Sequence, residues 1–441
     1  MARMTFRGGI HPYEGKELTE DKPILDYLPK GDVVFPLSQH IGAPAKPLVK
    51  KGDSVLVGQR IAEAGGFVSA HIHSSVSGKV KCIEPRMTAG GTKVESIVIE
   101  NDGEYQTIDF KEHVKPLDEM SRDEILAAIQ DAGIVGMGGA GFPTHVKLSP
   151  KNPDSIDHII VNGSECEPYL TSDYRRMMEE PDKVLGGLAI VLKLFPQAKG
   201  IVAIEDNKPK AIKLLREKAT SSYTNITVNK MKTKYPEGAE RQLIYANTGR
   251  YINSSMLPAD AGCIVHNIDT MVAIYDAVVE GIPLFTRIVT VTGDAIVNPQ
   301  NYRVRLGTSF QELIEEAGGY KNGEPAKIIA GGPMMGKAVF TTDIPLVKGS
   351  SAILCMQEDE VAACEPSNCI RCGRCVSVCP GRVVPAKLAD LAERGKIEEF
   401  VANDGMECCE CGCCSYVCPA KRHLTQTISA TRKAVLASRK K

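Results

Sequence analysis

The sequence predicts a multidomain α/β protein. A β domain of short strands comes first, a parallel α/β domain second, a small mixed module third and a cysteine-rich helical domain last. Three observations carry this. Short apolar segments broken by glycine turns fill residues 33–100. Strand-like and helix-like stretches then alternate from residue 158 to residue 285. Near the C-terminus two runs, CIRCGRCVSVCP and CCECGCCSYVCP, repeat one cysteine spacing.

Composition narrows the class. A chain of 441 residues has room for about three domains. At 43% hydrophobic, 24% charged and a net charge of −1, it reads as an ordinary soluble globular protein with no electrostatic call on nucleic acid. The opening MARMTFRGGIHPYEG has no apolar stretch of the signal-peptide kind. The longest apolar run, Leu185 to Phe195, contains Lys193 and falls short of the ~18 residues a membrane span needs. The expectation is a chain in a reducing compartment with no transmembrane span, held at a membrane only through partners.

In chain order, residues 1–32 read as an irregular arm, because Gly8, Gly9, Pro12, Gly15, Pro23 and Pro29 break any periodicity. In residues 33–110, PLVKKGDSVLVGQRIAE and HSSVSGKVKCIEPR each read as strand, turn and strand. This texture resembles the barrel-sandwich hybrid fold of biotinyl and lipoyl carrier domains. The lysine that carries the prosthetic group there is missing, since Ala70, His71 and Ile72 occupy the hairpin, so no swinging arm is expected. His71 and His73 alternate on a strand and are expected as plain surface residues rather than metal ligands.

Residues 115–285 carry the alternation. Ser121 and Glu124 form a capping box, Ile125, Leu126 and Ile129 an apolar stripe, and Gly133 a helix stop. Glycines at 136, 138, 139 and 141 follow, and Pro143 opens the next helix. Gly136, Gly138 and Gly141 match G-x-G-x-x-G, but after a helix rather than a strand, so the usual dinucleotide fingerprint does not apply. The loop offers bare backbone, whose N–H groups can converge on a phosphate and which a flat ring can approach closely; the alternative is a hinge. In DHIIVNGSECEPYL a strand, Ile159 to Val161, opens into Asn162, Ser164, Glu165 and Glu167. Ligands of open α/β sheets bind at such strand ends, and solvated turn carboxylates are the alternative. Helices are predicted at 182–195 and 209–218, and strands at 200–204 and 226–231. YPEGAERQLIYANTG then sets Gly238 and Glu240 at a helix start, and IVHNIDTM sets Asn267 and Thr270 at a second polar strand-to-helix junction.

In residues 286–346, RIVTVTGD, NYRVRLGT and KIIAGGPMMGKAV read as strands around a short helix capped by Ser309 and Glu312, a pattern that suggests a β-grasp module. Residues 347–423 hold the cysteines, with a helix at 385–394. The basic tail, 424–441, has Arg432, Lys433, Arg439, Lys440 and Lys441 beside Ile428, Val435 and Leu436. It reads as a solvated terminal helix in preference to a membrane-surface one.

Cys369, Cys372, Cys375 and Cys379 stand at C-x2-C-x2-C-x3-C-P, and Cys408, Cys411, Cys414 and Cys418 repeat it. This is the spacing of bacterial two-cluster ferredoxins, in which three thiolates of a tight loop hold one 4Fe–4S cube and the fourth cysteine reaches to the other. One cube is therefore assigned to Cys369, Cys372, Cys375 and Cys418, the other to Cys408, Cys411, Cys414 and Cys379. A zinc ribbon has paired C-x2-C motifs instead, and a disulfide scaffold belongs to small secreted chains. Cys409 and Cys413 are left over.

At GMGGAGFPTHVK, VNGSECEP, YPEGAERQL and HNIDT the chain resembles the flavin-bearing subunit of respiratory complex I, whose motifs read close to GRGGAGFPTGLK, NADESEPG, YICGEETAL and NNVET. With GGIHP near the start, the barrel-sandwich module first and two cysteine runs last, nearly the whole chain is similar to the RnfC family of Rnf-complex subunits. The resemblance implies a parallel α/β flavin and nucleotide domain, a noncovalent FMN, an NAD(H) site stacked on it, and a two-cluster ferredoxin-like helical domain. It implies membrane partners that couple ferredoxin:NAD+ oxidoreduction to translocation of Na+ or H+, among them an iron–sulfur subunit that receives electrons from ferredoxin, at the cytoplasmic face of the cell membrane. Carried over by position, Gly136, Gly138, Gly139 and Gly141 face the flavin and its phosphate. Lys147, Asn162, Ser164, Gly238, Asn267 and Thr270 contact the flavin. Phe142, Glu165, Glu167 and Glu240 line the nicotinamide side. Hydride exchange needs no side-chain nucleophile or base, so no residue is assigned a catalytic role. The chain departs from the complex I pattern at Ser164, Ala239 and His266, and Pro150 stands where an adenine-stacking aromatic is expected. A soluble flavin and iron–sulfur cobalamin reductase shares the modules but places the barrel sandwich after the flavin domain. A non-catalytic two-cluster relay is the remaining alternative.

Overall fold

The computed structural model describes residues 4–112 and 114–439, so the tail's Lys440 and Lys441 lie outside the described residues. Its centre is a four-stranded parallel sheet in the order Ile226–Met231, Lys199–Glu205, His158–Gly163, Cys263–Asn267. These strands are short apolar runs, as sheets covered on both faces require. The chain winds outward from His158–Gly163 through the helices Ser172–Glu179, Pro181–Leu194 and Pro209–Ser222, then returns to pair on the opposite side. Leu185, Leu188 and Val191 of one helix and Met271, Val272 and Ile274 of the helix Ile268–Val279 are buried in the same core. Fully burying such side chains stabilises by about 1.5–3 kcal/mol each. The helix Arg122–Asp131 carries the expected capping box, in which the Ser121 side chain accepts from the Glu124 N–H.

The first module has two small sheets. One pairs Val33–Pro36, Lys93–Asn101, Gly78–Met87 and Ser54–Val55, and the other Lys46–Pro47, Arg60–Glu63 and Ile72–His73. Val33, Phe35, Ile61, Ile72, Ile97 and Ile99 fill the space between them. The expectation of surface histidines is corrected here. His71 and His73 are buried, the His71 Nδ1 accepts from the Ala64 N–H at 3.0 Å, and burial holds both rings below the ordinary histidine range. The strand's other face is covered by packing that the local alternation does not reveal.

The arm is corrected in the same way. Ile24–Tyr27, read as irregular, is an edge strand parallel to Gln300–Arg305. It belongs to a six-stranded mixed sheet with Thr286–Thr292, Ala352–Met356, Lys327–Ala330 and Lys337–Val339, against which Phe310, Leu313 and Ile314 of the helix Phe310–Glu316 pack. The tail is also corrected. The helix Leu424–Ser438 buries Leu424 and Ile428 in one cluster with Leu388, Ala389 and Leu391 of the helix Pro385–Glu393, so it is part of the cysteine domain's core and not a solvated extension. Among the described residues no helix is long and apolar enough to cross a membrane.

Gly187 lets two core helices touch, since a Cβ there would lie 2.0 Å from the Met271 carbonyl oxygen. Gly187→Ala is expected to destabilise the protein by about 1–3 kcal/mol through overpacking. Thermal denaturation checks this, and an unchanged melting temperature would contradict the contact.

Candidate functional site

The reversal of strand order falls between His158–Gly163 and Cys263–Asn267, and the carboxyl edge of such a switch point opens into a crevice. The register sets Asn267 directly beside Asn162 at that edge. Asn162 Nδ2 donates to the Gly238 carbonyl at 2.8 Å, and its Oδ1 accepts from the Ser164 N–H at 3.2 Å. Asn267 caps its own helix by accepting from the Asp269 N–H at 2.8 Å and donates to Asp173 Oδ2 at 2.6 Å. Thr270 Oγ1 accepts from the Met137 N–H at 3.0 Å and so ties down the glycine loop. Gly138, at φ +73°, passes so close that a Cβ would meet Asn267 Nδ2 at 2.8 Å, whereas a Cβ at Gly139 would meet nothing within 4 Å. Gly136 N–H donates to the Phe142 carbonyl at 2.7 Å, closing the loop on itself. In the sequence Gly136–Phe142, Asn162–Glu167, Gly238 and Asn267–Thr270 are scattered over about a third of the chain, and the fold brings them to one edge.

The loop after His158–Gly163 holds the acidic residues, and the two carboxylates do different things. Glu165 turns inward. Its carboxylate accepts from the Asp173 N–H at 2.7 Å and the Tyr174 N–H at 3.3 Å, capping the helix Ser172–Glu179, so both oxygens are engaged inside the protein. Glu167 Oε2 accepts from the Met334 N–H at 3.2 Å, while its Oε1 is buried without a partner among the described residues. Burial pushes the Glu167 carboxyl up to about 7. Gly332 stands against it, where a Cβ would fall 2.2 Å from Oε2. Lys147 and Glu240 pair at 2.9 Å. Ser164 Oγ and both His266 ring nitrogens are buried and have no partner among the described residues.

These residues fit a flavin mononucleotide. Open backbone at Gly139 admits a flat ring, Ser164 Oγ is a buried hydroxyl with no partner among the described residues, and Gly238 lies where a Cβ would crowd Asn162 at 3.4 Å. The cysteines fit iron–sulfur chemistry by number, spacing and state, all being free thiols. Cys379 lies within electrostatic reach of Cys408 and Cys414, and Cys369 of Cys375. Cys379, Cys408 and Cys418 pack on one apolar cluster with Cys414. Cys411 has Cys409 and Cys413 as hydrogen-bonding neighbours instead, and among the described residues no group of three or more ligands is set to hold a single metal ion. Burial pushes the Cys408 and Cys414 thiols up to about 11, so iron has to displace their protons. The second run docks on the crevice domain: Tyr235 OH donates to the Cys411 carbonyl at 2.8 Å, and Arg241 pairs with Glu407 at 2.9 Å. The first run faces outward, with Cys369 and Cys372 exposed and Ile370 67% exposed.

Comparison with known proteins matches this architecture. Family models match for a RnfC barrel sandwich hybrid domain at residues 4–104, a Nuo51 FMN-binding domain at 129–276, an SLBB domain at 288–338 and a 4Fe-4S binding domain at 365–384. The RnfC-type subunit of the Na(+)-translocating ferredoxin:NAD(+) oxidoreductase complex of Acetobacterium woodii is 47% identical over 99% of this chain and 98% of its own length. The chain belongs to the RnfC family of subunits of ion-translocating ferredoxin:NAD(+) oxidoreductase complexes. Another member of the family, from the proton-translocating ferredoxin:NAD(+) oxidoreductase complex of Clostridium ljungdahlii, is 48% identical over 90% of this chain and 86% of its own. The RnfC counterpart from the ion-translocating oxidoreductase complex of Rhodobacter capsulatus is 40% identical over 89% of this chain and 76% of its own. The fold is also similar to a chain of an NAD+-reducing [NiFe]-hydrogenase in the H2-reduced state, with TM-score 0.51 and 17% identity over 73% of this chain and 62% of that one.

Several residues at the site escaped sequence reasoning. Gly332 and Met334 reach Glu167 from the small mixed module, Tyr235 reaches the second cysteine run, and Lys16 and Lys208 lie under the acidic loop. The paired glycines of GGPMMG were the one available signal, since a glycine within a strand pattern marks close approach.

A Cβ at Gly139 meets nothing within 4 Å, so Gly139→Leu starts its side chain into open space and should cost flavin while iron content and melting temperature hold; normal flavin content would refute the loop's role. Cys379→Ser should disturb the cluster of Cys408, Cys411 and Cys414 in electron paramagnetic resonance spectra, whereas loss of the cluster of its own run would refute crossed ligation.

Proposed function

We propose that this chain exchanges electrons between NAD(H) and two 4Fe–4S clusters through a noncovalent FMN, as a peripheral subunit of an Rnf-type complex that couples ferredoxin:NAD+ oxidoreduction to translocation of Na+ or H+. The observation that carries the reading is the crevice at the switch point, where a bare glycine loop, Asn162, Ser164, Gly238, Asn267 and Thr270 converge with the second cysteine run docked behind them. Its membrane partners include an iron–sulfur subunit fed by ferredoxin, and it works at the cytoplasmic face. By this reading residues 33–110 are a lipoyl-like barrel sandwich, 115–285 the flavin and nucleotide domain, 286–346 a β-grasp module and 347–423 a ferredoxin-like domain, between the 1–32 arm and the 424–441 tail.

A bound flavin supplies exchange of a hydride for single electrons, and the clusters supply one-electron relay. The protein supplies position and electrostatics. Gly136 closes the loop through its bond to Phe142, and Gly138, Gly139 and Gly141 would offer backbone N–H groups to the phosphate and room for the ring. Ser164 Oγ and the Asn162 and Asn267 amides bound the ring's polar edge, and Lys147 stands at the mouth with Glu240. Phe142 and Glu167 belong to the nicotinamide side, and Glu167 Oε1, without a partner among the described residues, would accept from the nucleotide's ribose hydroxyls. Glu165 acts on that side through the backbone it fixes. Charge-assisted hydrogen bonds of this kind contribute roughly 1.5–3 kcal/mol each.

Purified anaerobically, the protein should carry FMN that NADH bleaches, which a non-catalytic relay would not show. Glu167→Ala should raise the KM for NADH about tenfold or more and keep FMN bound. Because the acceptor is the ionised carboxylate and burial pushes Glu167 up to about 7, the KM should fall as pH rises through that value. In Glu167→Gln the pH step should vanish. A step that persists in Glu167→Gln, or a KM unmoved by Glu167→Ala, would remove Glu167 from the site.

A further inference from the structure

The arm read from sequence as irregular is built into the acidic loop. Lys16 is buried, and its ammonium donates to the carbonyls of Glu165 at 2.9 Å, Glu167 at 3.0 Å and Leu170 at 2.6 Å. These three bonds use every donor an ammonium has. The arm lies flush on the loop around them. Tyr169 N–H donates to the Glu14 carbonyl at 2.7 Å, the Thr19 and Thr171 hydroxyls meet at 2.7 Å, and a Cβ at Gly15 would strike the Tyr169 ring at 2.5 Å. From the other side Lys208, also buried, donates to the Ser164 carbonyl at 2.6 Å, with Glu205 at 3.6 Å for company.

The loop needs such holding. Glu165 and Tyr169 sit at φ +47° and +68°, in the left-handed region that residues with a side chain rarely adopt. Backbone of that kind persists where the surroundings over-determine it, and it gathers at functional sites. Lys16 bonds the carbonyl of Glu165 itself and that of Leu170, next to Tyr169. An ammonium taken wholly out of water is expensive unless all its donors are satisfied, and here all three are, so lifting the arm would strip the Glu165, Glu167 and Leu170 carbonyls of the donor that holds them. Turning these carbonyls inward, toward the two ammoniums, fixes where the loop's side chains stand, including Glu167, whose Oε1 has no partner among the described residues.

We infer that the N-terminal arm is part of the nucleotide site, with Lys16 as a positioning residue that sets the 164–170 loop, and thereby Glu167, for the nicotinamide nucleotide. The inference rests on the function proposed above.

The test uses the full chain loaded with FMN and clusters. Lys16→Met should keep flavin and iron at wild-type content and raise the KM for NADH about tenfold, with kcat for an artificial one-electron acceptor changed far less. Lys16→Arg keeps the charge but cannot place one donor on each of three carbonyls, so its KM should fall between the two. A wild-type KM in a loaded Lys16→Met protein would overturn the inference, as would loss of flavin, iron and thermal stability together with no separate effect on KM. Glu167→Ala is the reference. If it raises the KM and Lys16→Met does not, this inference alone fails; if neither does, the nucleotide reading fails. Where Lys16→Met does not fold, hydrogen exchange on the unaltered protein decides. Adding NAD+ should slow exchange at residues 14–19 and 164–171 together, and protection confined to the loop would overturn the arm's role.

Discussion

Parallel pairing of His158–Gly163 with Cys263–Asn267 is the constraint on which the site depends. The chain has by then built outward to Ile226–Met231, so this last pairing reverses the direction of winding, and the carboxyl edge at such a reversal opens into a crevice. The register then decides chemistry. It puts two asparagines side by side, one bonding the Gly238 loop and the other capping the helix that ties down the glycine loop. A slip in that pairing would separate the two ends of the site.

Around this sheet the modules are pinned by buried lysines on backbone carbonyls. Lys348, fully buried, donates to His71 of the first module and to Gly133 ahead of the glycine loop. Lys234 donates to the Phe6 carbonyl at 2.5 Å, and its ammonium lies over the Phe6 ring. Lys16 and Lys208 do the same under the acidic loop. Apolar contacts between modules are indifferent to small sliding movements. A buried lysine held by carbonyls is not, because a slip in a dry pocket takes away partners that water cannot replace. The arrangement suits a protein in which distances between redox groups have to be kept.

The two cysteine runs could be read as candidate ligands because cluster spacing is a property of the chain itself, and the glycine loop as a candidate site because bare backbone has few other uses. The alternation of helices and strands pointed to the parallel sheet for the same reason: periodicity is local. What stayed hidden was non-local. Ile24–Tyr27 is a strand only because Gln300–Arg305 lies beside it, and nothing within PILDYLP announces that partner. His71 and His73 look like surface residues until a second module covers them. Glu165 and Glu167 are indistinguishable as letters, and the N-terminus of the helix Ser172–Glu179 claims one of them and leaves the other. Lys16 is one lysine among many in the sequence, and only the fold shows its ammonium at the centre of the loop.

If one chain joins a nucleotide-reducible flavin in the crevice to clusters behind it, NADH alone has to reduce both. Anaerobic protein, analysed to hold about one FMN and roughly eight iron atoms per chain, should be mixed with NADH and frozen at intervals for electron paramagnetic resonance. The predicted result is bleaching of the flavin's visible band and growth of reduced-cluster signals in the same sample, without any other protein added. Protein that holds its full flavin and iron yet shows neither change would contradict the claim.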